Sequence, residues 1–181
     1  MYTNNFAFRV GPGETYTVLT PDYLAYGSFR ITPRQELFTF STRACYSASV
    51  ALSLSGYHNH SIDLEVIIGD DRNRKSVIRD LRNKDHVVAQ APTAGILHCY
   101  KVKNFWIDWR EGMLRVGEGL PGHRQFLEWQ VSQFMPVTSL ALSTGHRATG
   151  EWTVGMDQGN ALPCCVAELT LYIKVKIILS L

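Results

Sequence analysis

Three short polar runs in this chain carry the residue types that hold a sugar. Residues 70–75 read DDRNRK, residues 122–125 read GHRQ, and residues 145–147 read GHR and lead on to Glu151 and Trp152. Sugar hydroxyls are bound by carboxylate, amide, guanidinium and imidazole groups on preformed loops, and sugar C–H faces by flat aromatic rings. On that chemistry Asp70, Asn73, Arg74, His123, Arg124, His146, Arg147 and Glu151 are the polar candidates. Trp106 and Trp152 have polar neighbours and are candidate stacking faces, whereas Trp109 alternates with Phe105 and Ile107 and reads as core.

The first run also offers metal chemistry. Asp70, Asp71 and Asn73 supply three oxygen ligands within four positions, and Asp157 with Asn160 supplies two more. Ca²⁺ takes six to eight oxygens, so a calcium-assisted sugar site is compatible with this composition, although the spacing matches no specific calcium loop. Catalytic signatures are missing: there is no GxSxG elbow and no HExxH, and the six histidines are scattered. Asp63, Glu65, Asp108 and Glu111 alternate with apolar residues and are expected on solvent-facing sides of strands. The reading is a binding protein, with no catalytic residues.

The elements that must position these loops are strands. Ile62, Leu64, Val66 and Ile68 alternate with Asp63 and Glu65, the period of an extended chain with one apolar side, and that strand runs straight into the charged loop at Asp70. Phe105, Ile107 and Trp109 alternate before Glu111 and Gly112, and Leu114 and Val116 resume the pattern, which predicts a hairpin with a tight turn over residues 110–112. Further β-branched and aromatic runs recur between Gly, Pro, Asn and Asp clusters. One modest candidate for a helical turn or irregular segment spans residues 125–134. The fold class is all-β: an antiparallel β-sandwich, jelly-roll-like, with little helix. At 181 residues and 45% hydrophobic, one domain over residues 1–181 is expected.

Charge and cysteines narrow the partners. Net charge is +2, from 18 basic and 16 acidic residues that are interleaved, which points away from nucleic acid. No run suits a membrane-spanning helix, because Lys174 and Lys176 alternate with Ile173, Val175 and Ile177 as in a strand. No leader is recognised at the start, which leaves a cytosolic protein or one whose leader is missing. Cys164 and Cys165 are adjacent, too close to bridge each other easily. The alternatives are bridges from this pair to Cys45 and Cys99, one internal bridge with one to a partner chain, or four reduced buried thiols. An N-x-S acceptor at Asn59 adds a small weight toward secretion.

These residues resemble the farnesoic acid O-methyltransferase-like domain, a β-rich extracellular module of invertebrate proteins. The resemblance rests on a Gly69, Asn73, Ser76, Ile78, Arg79 run, on the hairpin FWIDWREG, and on the ending STGHRATGEW, and covers about residues 38–152. It departs from the pattern at Asp70 and Asp71, where a small residue and an aromatic are usual. The family name implies methyl transfer from S-adenosylmethionine. No glycine-rich turn opens a helix between parallel strands here, so no S-adenosylmethionine site is expected. The expected protein is a secreted lectin, with galactosides as the first expected glycans and a homodimer or small oligomer gaining avidity.

Overall fold

Apolar alternation builds most of the strands, as β4 (Leu37–Ala44) illustrates: Phe38, Phe40, Thr42 and Ala44 are buried while Thr39, Ser41 and Arg43 face outward. The computed structural model describes residues 6–10, 15–20, 27–30, 36–54, 62–84, 86–131, 136–145, 148–155 and 167–171. Ahead of β4 come β1 (Phe6–Val10), β2 (Thr15–Thr20) and β3 (Gly27–Arg30). After it come β5 (Ala48–Ser53), β6 (Leu64–Gly69), β7 (Lys75–Asp80) and β8 (His86–Pro92). The chain continues through β9 (Lys103–Asp108), β10 (Met113–Glu118), β11 (Gln125–Gln130), β12 (Ser139–Thr144), β13 (Gly150–Gly155) and β14 (Ala167–Leu171).

Two six-stranded antiparallel sheets result. The first has the order β11-β10-β9-β4-β13-β2 and the second β3-β12-β5-β6-β7-β8, while β1 pairs with β14. Their inner faces share one core: Phe38, Phe40, Phe105, Ile107 and Trp152 of the first sheet meet Val50, Leu52, Leu64, Ile68 and Leu142 of the second. Sheets that each bury one face against the other make a sandwich, the architecture expected from the strand pattern. Phe40 lies at the centre of an aromatic cluster, 5.1 Å from Phe38, 5.8 Å from Phe105 and 5.6 Å from Trp152 by ring centroid. Such packing gives the sandwich a rigid middle from which loops can be held.

The structure corrects two local expectations. Residues 125–130 form strand β11, not a helical turn, because pairing with β10 outweighs a mixed local period. Asp63, Glu65 and Asp108 are buried instead of lying open to solvent. Each has partners: Asp63 accepts from the Leu54 amide at 2.6 Å, Glu65 faces Arg79 at 3.6 Å, and Asp108 accepts from the Arg110 amide at 2.9 Å. Burial with a partner is the usual condition for a carboxylate inside a protein.

Candidate loop-end binding site

Strand register decides which loops meet. Ala44 pairs with Gly150, Thr144 with Ala48, Ala48 with Ile68, Lys75 with Pro92, Thr42 with Lys103, and Phe105 with Glu118. The connections at residues 45–47, 70–74, 93–102, 119–124 and 145–149 therefore all leave the same end of the sandwich. Backbone bonds tie several of them together: the Ser47 amide donates to the Gly69 carbonyl and the Gly145 amide to the Ser47 carbonyl, both at 2.9 Å. The polar runs at 70–75 and 122–125 thus emerge at one end, the end where Gly145 and Ala148 also lie. His146 and Arg147 themselves, like Asp157, Asn160, Asn59, Cys164, Cys165, Lys174 and Lys176, lie outside the described residues.

The turn after β6 has an unusual backbone. Gly69 has φ 67° and is followed, after Asp70, by three residues in the left-handed region: Asp71 at 51°, Arg72 at 60° and Asn73 at 65°. Each non-glycine residue held there costs about 1–2 kcal/mol, so strong local bonds must fix the turn. Asn73 provides them, donating through Nδ2 to the Leu97 carbonyl at 2.9 Å and accepting through Oδ1 from the Leu97 amide at 3.1 Å. Its carbonyl accepts from the Gly95 amide at 2.8 Å. Ser76 Oγ accepts from the Gly69 amide at 3.2 Å and pairs with Thr93 Oγ1 at 2.7 Å. At Gly69 a side chain would be strained, and its Cβ would sit 2.7 Å from Leu97 Cδ1. Gly69, Asn73 and Ser76, residues of the family-like motif, are thus a folding device that docks residues 93–97 onto the turn.

This arrangement corrects several site expectations. The Asn73 amide is bound to the Leu97 backbone through both its nitrogen and its oxygen, and the Arg74 guanidinium reaches both carboxylate oxygens of Asp71 at 2.6 Å. That contact holds the Asp71 carboxyl below the usual carboxylate range. Asp70 is buried, 3.9 Å from Arg79. Asp70, Asp71 and Asn73 therefore do not gather around a shared ion, and among the described residues no three His, Cys, Asp or Glu side chains are grouped to hold one. These residues do not fit calcium.

Both candidate tryptophans are packing residues. Trp152 is 0% exposed and donates through Nε1 to Thr20 Oγ1 at 2.8 Å. Trp106, on the outward side of β9, is 1% exposed and donates through Nε1 to the His123 carbonyl at 2.9 Å. Its indole lies against Gly117, where any Cβ would collide with it, and the 119–124 loop closes over it. Their polar sequence neighbours had suggested open faces, but alternation along a strand says nothing about what folds across it. Neither ring can stack on a sugar. Glu151, also on an outward face, is ion-paired with Arg43. Of the polar candidates Arg74, His123 and Arg124 are exposed; Arg74 is taken up by Asp71, and Arg124 lies 3.2 Å from Glu118.

Among the described residues the exposed tyrosine at this end is Tyr100. It is 84% exposed, in the connection between β8 and β9. Its amide donates to His98 Nδ1 at 3.0 Å, and the two rings meet edge-on at 6.1 Å. A disulfide joins Cys99 to Cys45, so this segment is anchored covalently on one side of Tyr100 and by β9 on the other. The bridge overturns two of the alternatives, the pairing of both Cys45 and Cys99 with Cys164 and Cys165 and the set of four reduced thiols: sequence alone could not show that the 93–102 connection crosses back over the β4–β5 turn. Sequence reasoning also passed over Tyr100, although its neighbours His98, Cys99 and Lys101 offer no apolar alternation to bury it.

By fold, then, this is an antiparallel β-sandwich with its functional candidates at one loop end. The chain belongs to the family described as farnesoic acid O-methyl transferase, whose sequence pattern matches residues 19–157. It is 27% identical over 139 residues to Uncharacterized protein 5 of Haliotis asinina, covering 72% of this chain and 77% of that protein. Among solved structures it is similar to a Bacillus subtilis protein of unknown function with a galectin-like fold, at 12% identity and a TM-score of 0.49, over 90% of this chain and 80% of that one. It is also similar to a Bacillus subtilis carbohydrate-binding module, at 11% identity and a TM-score of 0.48, over 84% and 93% of the two chains.

The family description implies S-adenosylmethionine, and the described residues do not fit it. That cofactor sits where a glycine-rich turn leads from a strand into a helix between parallel strands. Here Gly117 and Gly119 close β10 and lead into the 119–124 turn and strand β11, and all the described pairings are antiparallel.

Proposed function

We propose that this protein binds glycans through the loop end without altering them. The observation that carries the reading is Tyr100, an exposed ring held between a disulfide-bonded residue and the start of β9, with His98 packed against it. A flat ring whose position is fixed before binding gives sugar C–H groups a face at low entropic cost. His123 and Arg124, on the loop from β10 to β11, supply hydrogen-bonding groups at the same end. Binding on this reading is independent of calcium, and galactosides are the first class to examine.

The test is a glycan array with the wild-type protein and Tyr100→Ala. Because Tyr100 is so exposed, the variant should unfold within about 0.5 kcal/mol of wild type, yet lose at least about tenfold in affinity, the equivalent of about 1.4 kcal/mol. Binding to no glycan at all would sink the proposal. A chelator should leave the signal unchanged.

An exposed disulfide supports a secreted protein, since such bonds persist in oxidising compartments. With Cys45 and Cys99 paired, a bridge from Cys164 or Cys165 to a partner chain is the proposed route to a dimer, visible as a reducible band of doubled mass in gel electrophoresis. A second reading, an extracellular protein-interaction module, is favoured by Val102 and Leu120, both exposed at this end. It predicts retention of a protein partner and an empty array.

A further inference from the structure

The ionic groups of the loop end are unevenly satisfied. Every acid there among the described residues has a basic partner: Asp71 has Arg74, Glu151 has Arg43, Asp70 faces Arg79, and Glu118 has both Lys103 at 2.8 Å and Arg124 at 3.2 Å. Glu118 is one carboxylate against two cations, so a positive charge is left over. Arg72 and Lys101 are exposed, and among the described residues neither is held in an ion pair, although Arg72 adds to the positive field on Asp71, whose carboxylate is already taken by Arg74. The opposite end is less positive: Glu36 and Glu111 are exposed there and share the charge of Arg110, which is already bound to Asp108, while Lys84 is an exposed cation at the same end.

That distribution limits the chemistry of a ligand. Guanidinium and ammonium groups donate hydrogen bonds and accept none, the carboxylates are ion-paired and the Asn73 amide is bound to Leu97, so exposed donors outnumber exposed acceptors such as the His123 ring. His98 Nδ1 already accepts from the Tyr100 amide. A surface of free donors suits an acceptor-rich ligand, and the strained turn that exposes Arg72 is fixed by the Asn73 contacts before any ligand arrives.

We infer that the loop end takes glycans bearing sulfate or carboxylate groups, with Arg72 and Lys101 as the anion contacts beside the Tyr100 face. This rests on the carbohydrate reading above. The charge contrast between the ends also orients an anionic ligand toward the loop end and speeds encounter at low salt.

The experiment measures binding to an immobilised sulfated galactan, to the same polymer after chemical desulfation, and to polygalacturonate, which separates sulfate from carboxylate recognition. The expected result is at least about tenfold tighter binding to one or both anionic polymers than to the desulfated one. Screening should weaken it about tenfold or more between about 50 and about 500 mM salt. The double variant Arg72→Gln with Lys101→Gln should lose the same preference at an unchanged thermal midpoint. If that variant does not fold, the salt titration and the desulfated comparison on the wild type decide. Equal, salt-insensitive affinity for sulfated and desulfated polymers overturns the inference while the carbohydrate reading stands. So does binding to neutral array glycans alone. Failure to bind any glycan overturns both.

Discussion

The two ends of this sandwich join the same strands by turns of opposite design. At the end carrying residues 110–112, β9 and β10 are linked by a three-residue turn in which Glu111 and Gly112 have φ of 57° and 70°. The Arg110 side chain folds back onto buried Asp108, which raises the affinity of the guanidinium for its proton. That turn is local and closes on itself. At the loop end, by contrast, the 70–73 turn is strained over three successive non-glycine residues, and its bonds run to residues 93–97, far along the chain. A disulfide spanning 54 residues crosses the same end. Local closure makes a hairpin; long-range closure makes a platform, and among the described residues the exposed tyrosine, Tyr100, belongs to the second kind of end.

Breaking the cross-link tests this contrast most severely. Replacing Cys45 and Cys99 together by serine releases a loop of 54 residues, worth about 4 kcal/mol in the chain-entropy account. Chemical denaturation should show a midpoint shift of that order, together with loss of glycan binding by an unanchored Tyr100. A shift below about 1 kcal/mol with binding intact would mean that the platform is held by other contacts.

Asn73→Ala comes next, removing two hydrogen bonds and leaving the Leu97 amide and carbonyl without their partner. About 2–3 kcal/mol of destabilisation is expected, and hydrogen exchange should speed up in residues 93–102 ahead of the rest of the chain. Uniform acceleration across both sheets would instead make Asn73 part of the global fold.

The smallest effect belongs to the other end. Asp108→Asn weakens charged contacts with Arg110 and Arg115 and should cost about 1–2 kcal/mol, while glycan affinity stays within twofold or so, the span of a few tenths of a kcal/mol. A larger loss of affinity would show that the two ends are coupled.

Much of the fold was legible in the sequence. The alternation of Phe105, Ile107, Leu114 and Val116 around Glu111 and Gly112 marks the β9–β10 hairpin, since period-2 burial and turn chemistry are properties of adjacent residues. The site was legible only in part. The polar runs at Asp70 and His123 do share an end, but the side chains chosen from them were largely those that fasten the fold. Trp106 and Trp152 looked like binding faces because their neighbours are polar, and both are buried. Tyr100 looked like nothing in particular.

What the sequence determined by itself is the strand content, the sandwich class and the position of the turns, because those follow from side-chain alternation and backbone preference over a few residues. Tertiary structure alone decided that Tyr100 is open while Trp106 and Trp152 are covered, and which of the described acids are already paired. It also decided that Cys45 meets Cys99. These depend on contacts between residues distant in the chain, such as Asn73 with Leu97 and the loop of His123 over Trp106, and no local pattern encodes what a later segment will cover.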